Sequence, residues 1–218
     1  MKVLKLLAVL ITLFWALPAL AQINSELARL FPCVAYEIGN GVPRDLTKAA
    51  QCFQKEAERG VVGAQNILGV KYQKGEGVPQ DYAKAVHWFE KAAEQGDAQA
   101  QVNLGTHYAG GYGVPQDFAK AAQWYQKAAE QGDAMAQGLL GGMYSEGDGV
   151  PQDQFKATEW IKKAAEQGDA PAQHILGLRY WSGRGVIRDQ QKGCSLIHAS
   201  AEQGYRRAIE AYNEFCAN

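Results

Sequence analysis

The pattern of apolar and polar residues in the middle of the chain predicts a pair of helices. Between Phe118 and Glu130, apolar residues recur with the spacing of one helix face, at positions 118, 121, 122, 125, 128 and 129. Asp117 stands where a helix N-cap is expected, and Gly132 can end the helix in a left-handed conformation. A second apolar face follows between residues 134 and 144, where Gly141 leaves room for a neighbouring helix. The segment therefore predicts a helix–loop–helix hairpin.

This hairpin recurs along the chain at a fixed step of 36 residues, as from Gly77 to Gly113. The tripeptide Gly-Val-Pro starts at Gly41, Gly77, Gly113 and Gly149, and Gly185-Val186-Ile187 follows in the same phase. A single two-helix hairpin cannot bury its own apolar faces, so each copy needs a neighbour. A fixed period of this length is typical of a solenoid of stacked helical repeats.

The repeated pattern A-x-x-x-L-G-x-x-Y-x-x-G-x-G-V-P-Q-D-x-x-K-A-x-x-W-x-x-K-A-A-E-Q-G resembles the Sel1-like repeat, a relative of the tetratricopeptide repeat. The resemblance implies an all-α protein, a right-handed α/α superhelical solenoid of about five repeats. In the family's frame the repeats run over about 26–60, 61–96, 97–132, 133–168 and 169–204, with a terminal capping helix at 205–218. The end repeats depart from the pattern, with Pro32-Cys33 in place of Leu-Gly, Cys52 in place of Trp and Leu196 in place of Trp.

The first 21 residues have a composition unlike the rest of the chain. Two lysines precede an apolar run from Leu6 to Leu17, and Ala19-Leu20-Ala21 is typical of a signal-peptide cleavage site. We expect a secretory signal peptide over 1–21 and a periplasmic mature protein; the alternative is a buried N-terminal helix. The whole chain has 22 basic and 23 acidic residues, so removing Lys2 and Lys5 leaves a net charge of −3. Nucleic acid is therefore not expected as a partner. No later stretch reaches the roughly 20 apolar residues of a membrane span, so integral membrane contact is not expected, and we expect a monomer.

Four cysteines in an exported chain predict two disulfides, for which the count alone allows three connectivities. In the family's frame, Cys33 and Cys52 lie on the two helices of the first repeat. Cys194 lies on the second helix of the last repeat, beside Cys216 on the terminal helix. We therefore expect the pairs Cys33–Cys52 and Cys194–Cys216, and buried free thiols are the alternative.

Two sets of aromatic and basic residues share a repeat phase and could suggest ligand binding. Trp88, Trp124 and Trp160 fall on an apolar face, so we expect core packing rather than a ligand stack. Five lysines from Lys48 to Lys192 recur with glutamates ten residues later on the same helices. That alternation favours a solvated, mixed-charge face over a basic binding stripe.

Function is expected where the repeats differ from one another. In tetratricopeptide-like arrays the first helix of each hairpin lines a concave groove. The resemblance therefore implies that the binding residues of this chain lie two and five residues before and after the repeated leucine. The predicted groove residues are Asn66, Val70, Gln73, Gln99, Val102, Thr106, Met135, Ser145, His174, Leu178 and Trp181. Tyr112 and Arg184 are expected to extend its rim. The mixture of amide and apolar side chains suits a protein or peptide partner; unconstrained drift of surface residues is the alternative.

Motifs for catalysis are absent from the sequence. The chain has no His-x-x-x-His, Cys-x-x-Cys, Ser-x-x-Lys or Gly-x-Ser-x-Gly spacing, so we expect no metal, no cofactor and no enzymatic activity. We expect a protein-interaction scaffold in the periplasm. The resemblance also implies two alternatives, an immunity protein that neutralises a secreted phospholipase-type effector and a cysteine-containing enzyme that binds or hydrolyses β-lactams.

Overall fold

The computed structural model describes residues 30–217, and these form helices joined by short loops, with no strand among them. The predicted signal peptide lies outside the described residues. The helices are α1 (30–38), α2 (Leu46–Glu58), α3 (Val62–Lys74), α4 (Tyr82–Glu94), α5 (Ala98–Gly110), α6 (Phe118–Glu130), α7 (Ala134–Glu146), α8 (Gln154–Glu166), α9 (Ala170–Ser182), α10 (Gln190–Glu202) and α11 (Arg206–Phe215). Odd-numbered helices up to α9 are the first helices of their repeats, and even-numbered helices are the second.

The repeated aspartates start these helices as the sequence predicts. Asp117 at the N-cap of α6 accepts a hydrogen bond from the backbone N–H of Lys120 at 2.9 Å. Asp133 caps α7 in the same way through the N–H of Ala136 at 2.8 Å. Each such cap satisfies a backbone donor that the first helical turn leaves open, and each is worth about 1 kcal/mol. Recurrence of the aspartate caps therefore fixes where the capped helices begin in each repeat.

The repeated Leu-Gly dipeptides let the two helices of a repeat approach closely. A Cβ built on Gly141 would lie 2.6 Å from Ile161 on α8, closer than atoms can pack. Gly105 meets the ring of Tyr125 in the same way, and Gly177 meets Ile197. The expected close approach at Gly141 is therefore confirmed, and the glycine is a packing requirement.

Packing divides the chain into two compact units, an N-terminal unit that ends at Ala92 and a C-terminal unit that begins at Ala93. A core of the N-terminal unit is centred on Phe53 and Leu68 and includes Trp88. The C-terminal unit has a succession of small cores that contain Leu140, Ile161 and Ile197. This succession is what stacked hairpins produce, because each one buries its apolar residues against the next.

Buried glutamines join successive repeats of the C-terminal unit. Gln137 on α7 donates to the backbone carbonyl of Ala129 at 3.1 Å and accepts from Gln167 at 2.9 Å. Gln101 with Gln131, and Gln173 with Gln203, repeat the second bond at 2.8 Å. These bonds satisfy polar groups between helices and give a reason for the glutamine that follows the terminal glutamate of α6, α8 and α10.

Both predicted disulfides are confirmed. Cys33 is bonded to Cys52 between α1 and α2, and Cys194 on α10 is bonded to Cys216, the C-cap residue of α11. In the chain-entropy treatment, a bond that closes a loop of this size contributes about 3 kcal/mol. Each disulfide lies in an end repeat, where a helix has a neighbour on one side only.

The lysines that share a repeat phase contact aromatic rings rather than forming a binding stripe. Lys192 lies 4.4 Å from the centre of the Tyr180 ring, and Lys120 lies 5.2 Å from that of Tyr108. Lys163, which lies outside this phase, covers the ring of Trp160 on its own helix α8 at 3.8 Å. These cations remain in contact with water, so each pair contributes about 0.5–1 kcal/mol. Lys120 and Lys192 therefore connect the two helices of a repeat.

Candidate partner-binding surface

The predicted groove residues do not all reach the surface. Exposed or half-buried side chains belong to Asn66, Val70 and Gln73 on α3, Gln99 and Thr106 on α5, Met135 on α7, and Leu178 and Trp181 on α9. Val102, Ser145 and His174 are buried. The three α3 residues belong to the N-terminal unit and the others to the C-terminal unit.

Each of the three buried residues has an internal contact that explains its position. Val102 belongs to the core of the C-terminal unit. Ser145 accepts a hydrogen bond from the Nη2 group of Arg179. His174 packs on the ring of Tyr205 with 5.5 Å between ring centres, and burial together with the positive charge of Arg207 lowers its pKa. These side chains are therefore corrected from surface to interior positions.

An exposed apolar stripe lies on α7 and α9 of the C-terminal unit. Met135 is 58% exposed, and Leu139 and Ile175 are also exposed. Leu139 and Ile175 stand immediately before the repeated leucines, at a position that was not predicted from the sequence. One step along a helix turns a side chain by about 100°, so the predicted position two residues before the leucine faces inward instead. The helical spacing of positions 135, 139 and 142 would have identified the stripe.

A pocket of about 300 Å³ opens beside this stripe, between α7 and α9. Its apolar wall consists of Ile161, Ile175 and Leu178. Gly142 also lines it, and open space surrounds the place where a Cβ would stand. The polar side is formed by Ser145, Glu146, Arg179, Ser182 and Arg184. The pocket thus combines an apolar wall with two guanidinium groups.

Arg179 is the most unusual of these residues because it is 4% exposed and charged. Its Nη1 group donates to the Thr158 hydroxyl at 3.0 Å and lies 3.3 Å from the Gln154 side-chain oxygen. Its Nη2 group donates to the Ser145 hydroxyl, whereas its Nε–H has no acceptor. Burial, followed by the charge of Arg184, lowers the pKa of Arg179, although a guanidinium still stays protonated at neutral pH.

The rim of the pocket has charges of both signs. Arg184 donates from Nε to the Gln154 side-chain oxygen at 2.9 Å, and its Nη2 lies 3.9 Å from a carboxylate oxygen of Glu146. Glu146 and Arg184 are both exposed, so this ion pair is weak. Tyr112, the other expected rim residue, lies on a different loop, with its ring 6.1 Å from that of His107. Of the two expected rim residues, the structure therefore brings Arg184 to this pocket.

The equivalent position in the N-terminal unit has a different pair of residues. Lys71 occupies the repeat position of Arg179, and Glu37 occupies that of Ser145, with the same 34-residue separation. The Nζ of Lys71 is buried and lies 2.5 Å from a carboxylate oxygen of Glu37. One buried cation thus has a carboxylate partner, whereas in the described part of the chain Arg179 has hydroxyl, amide and carbonyl partners only.

Two further features bear on what the surface can do. Residues 30–217 contain no cluster of three or more His, Cys, Asp or Glu side chains placed to hold a metal ion. No helix in the same range is long and apolar enough to cross a membrane.

Comparisons with known proteins agree with the repeat architecture. The Sel1 repeat family model matches residues 26–61, 62–97, 98–133, 134–169 and 170–205. A search of curated proteins finds no match. A Sel1 repeat protein of Oxalobacter formigenes is 34% identical, with a TM-score of 0.80, over 85% of this chain and 74% of its own.

Two other solved structures are similar over most of the chain. A protective antigen of uropathogenic Escherichia coli strains, with an SLR fold, is 39% identical with a TM-score of 0.81. The match covers 86% of this chain but only 40% of the antigen, so the chain spans less than half of that protein's length. An immunity protein of Pseudomonas aeruginosa is 25% identical, with a TM-score of 0.54, over 84% of this chain and 68% of its own. The expected all-α solenoid class of about five repeats is confirmed, and the chain belongs to the Sel1 repeat family.

Proposed function

We propose that this chain is a non-catalytic scaffold that holds a partner protein or peptide on the first-helix surface of its C-terminal unit. This surface comprises the exposed side chains of α7 and α9 and the pocket between these helices. The observation that carries the proposal is the apolar stripe formed by Met135, Leu139 and Ile175. Repeats of this kind present such faces for contacts with other proteins.

Exposure of this stripe has no explanation in the packing of the array. The core is supplied by the repeated Leu and Ala positions, and Leu139 and Ile175 are exposed although Leu140 and Leu176 next to them are buried. Isolated exposed apolar residues are common on proteins, but a contiguous patch rimmed by polar groups is typical of an interaction site. Ile175 belongs both to the stripe and to the pocket, whose polar side includes Glu146, Ser182 and Arg184.

The first test changes the apolar stripe at its exposed residues. Leu139→Glu and Ile175→Glu place charges at the proposed contact and disturb little of the interior, so the helical circular dichroism should be retained. The matched controls are Phe155→Glu and Ile187→Glu, whose parent side chains are 74% and 90% exposed on other faces. A partner is first captured by photo-crosslinking from position 139, then purified for affinity measurement.

The expected result is a loss of at least tenfold in affinity for each stripe variant, equivalent to about 1.4 kcal/mol. Affinity for the control variants should stay within about twofold of the parent protein, since they lie outside the proposed contact. Equal affinities for stripe and control variants would show that the partner binds elsewhere.

We also propose that the protein works in an oxidising compartment, as a periplasmic protein does. Two disulfides support this, because such bonds persist outside the cytosol and are rare within it. Fractionation of cells followed by thiol alkylation and intact-mass measurement tests the proposal. We expect the periplasmic fraction to contain a chain with no free thiol; a fully reduced cytosolic chain would contradict it.

A second candidate function is protection against a toxic effector. The observation that favours it is the likeness to the Pseudomonas aeruginosa immunity protein over 84% of this chain. In that case the partner on α7 and α9 would be the effector, such as a secreted phospholipase. Expression of the chain in effector-sensitive cells should restore growth, and Leu139→Glu should abolish the protection. Growth arrest despite expression would favour the scaffold role.

A further inference from the structure

The pocket between α7 and α9 contains a buried positive charge for which the described residues supply no ion pair; the exposed carboxylate of Glu146 acts on it less strongly than the like charge of Arg184 does. Arg179 lines this pocket, and the acceptors around its guanidinium are the neutral oxygens of Ser145, Thr158 and Gln154, together with the backbone carbonyl of Arg184. Removing an ion from water costs several kcal/mol unless an opposite charge compensates it. The described residues place no carboxylate within ion-pair distance of this group.

The guanidinium also has hydrogen-bond capacity left over. Of its five N–H groups, those on Nη1 face several acceptors, those on Nη2 share one hydroxyl, and the Nε–H has none. Nε and Nη2 lie on the same edge of the guanidinium, the edge that binds a carboxylate with two parallel hydrogen bonds. Ser145 occupies part of this edge, and its hydroxyl can turn to a backbone carbonyl of its own helix.

Charge and shape restrict what the pocket can accept. Arg179 and Arg184 contribute two positive charges and Glu146 one negative charge, so one positive charge remains for a ligand to neutralise. Opposite these groups, Ile161, Ile175 and Leu178 form the apolar wall. A phosphate group has nearly two negative charges and no apolar surface to place there. The complementary ligand has a single negative charge beside an apolar side chain.

We propose that this pocket binds the C-terminal residue of the partner polypeptide. The α-carboxylate pairs with Arg179, displacing the Ser145 hydroxyl, and the apolar side chain of the same residue packs against Ile175 and Leu178. A volume of about 300 Å³ lies at the lower end of the range for ligand pockets, which suits a chain end better than a chain that continues. The inference rests on the proposed function, because the pocket belongs to the first-helix surface.

The test uses the full exported chain and defined peptides. The probe is acetyl-Ala-Ala-Leu with a free C-terminus; its C-terminal amide and acetyl-Ala-Glu-Ala-amide are the comparison ligands, and inorganic phosphate is the competitor. Binding is followed by titration calorimetry and by the side-chain Nε–H resonances of arginine. We expect the free acid to bind in the millimolar range or tighter, and both amides to bind at least about tenfold more weakly.

Two variants locate the effect. Arg179→Gln should lose acid-specific binding, whereas Lys162→Gln, which removes the same charge from the exposed face of α8, should keep it within about twofold. Ser145→Asp places a carboxylate next to Arg179 and should weaken free-acid binding by at least tenfold in a protein that retains the guanidinium. The Ser145→Asp result decides the question if Arg179→Gln does not fold.

Three outcomes would overturn the inference: equal binding of acid and amide, absence of binding up to about 10 mM peptide, or stronger displacement by phosphate than by peptide acid. Tighter binding of the internal glutamate peptide would likewise overturn the assignment to a chain end.

Failure of the proposed function can be told apart from failure of the carboxylate contact. If Leu139→Glu weakens partner binding while Arg179→Gln does not, the proposed first-helix surface is supported and the proposed contact between Arg179 and a carboxylate is wrong. If the peptide acid binds specifically but Leu139→Glu leaves partner binding unchanged, the contact between Arg179 and a carboxylate is supported and the proposed first-helix surface is wrong.

Discussion

Lys71 in the N-terminal unit and Arg179 in the C-terminal unit occupy the same position of the repeat, yet their surroundings differ. Lys71 has the carboxylate of Glu37 at 2.5 Å, and that pair is complete within its unit. Arg179 faces Ser145 at the corresponding place and borders an open pocket. One scaffold position can therefore serve as an internal ion pair in one repeat and remain open to a ligand in another.

The choice of cation fits the two roles. A lysine ammonium is a compact, strongly hydrated charge, so a carboxylate partner strongly favours its burial in the charged form. A guanidinium is more weakly hydrated and spreads its charge over five donors, which neutral oxygens satisfy in part. Arg179 is therefore tolerated without a counter-ion, at a cost in stability that a partner's carboxylate would offset.

The greatest change in stability should come from making the N-terminal unit resemble the C-terminal one. Glu37→Ser leaves Lys71 buried without its counter-charge, and we expect a loss of about 2–3 kcal/mol in the free energy of unfolding. This is below the ~3–5 kcal/mol of a fully buried pair because Glu37 keeps 29% of its side chain exposed. Chemical denaturation followed by circular dichroism measures it.

Pairing this variant with Lys71→Met provides the control. The double variant removes both charges, so it should recover most of the lost stability, since the buried ammonium is then gone. If Glu37→Ser alone is as stable as the parent chain, the ion pair does not compensate Lys71 and the comparison with Arg179 loses its basis.

A smaller change is expected from the reverse substitution, Ser145→Asp, which gives Arg179 an internal carboxylate. A charged hydrogen bond in a buried place favours the variant by about 1.5–3 kcal/mol. The position near the C-terminus of α7 and the cost of burying the new charge oppose it, because the helix dipole disfavours a negative charge there. We expect a net gain of about 1 kcal/mol, measured by the same denaturation experiment, with Ser195→Asp on the exposed face of α10, outside the pocket, as the control.

A gain confined to Ser145→Asp would confirm that Arg179 lacks a counter-charge in the native protein. The contrary result is that Ser145→Asp destabilises the chain and that the loss disappears when Arg179 is also replaced by Met. In that case the two groups cannot pair in this geometry, and the inferred lack of a counter-charge would be wrong.

The weakest effect should be a pH dependence located in the C-terminal unit. Burial, followed by Arg207, lowers the pKa of His174, and burial lowers that of His107. The unfolded chain therefore binds protons first as the pH falls, so stability is lost as the pH falls below about 6.5 and is regained as it rises. We expect His174→Gln to flatten this dependence by at most about 1 kcal/mol.

Thermal unfolding between pH 7.5 and 5 measures the effect, with His87→Gln as the control because His87 is exposed on α4 of the N-terminal unit. An identical pH profile for the parent and His174→Gln proteins would show that protonation of His174 is not coupled to folding.

Repetition made most of the fold predictable from the sequence. The aspartate caps, the Leu-Gly close approach and the hairpin length depend on residues that are neighbours in sequence or that recur at a fixed step. The disulfides were predictable for a related reason: Cys33 and Cys52 replace residues whose places the repeat already defines.

The site was less predictable because it depends on which way individual side chains face. Val102 and His174 were expected at the surface, but their positions turn inward, whereas Leu139 and Ile175, each one residue before the repeated leucine, face outward. Ser145 is buried because Arg179, 34 residues away, covers it. No local pattern indicates that Arg179 is buried without a carboxylate, since this depends on the residue at the corresponding place one repeat earlier.

Whether α7 and α9 form the surface that holds the partner can be measured by hydrogen–deuterium exchange. Exchange is followed on the parent chain alone and with the partner captured from position 139. We predict slower exchange in peptides that cover α7 and α9, with peptides from the exposed faces of α8 and α10 unchanged. Protection confined to α8 and α10, or to the N-terminal unit, would show that the partner is held elsewhere.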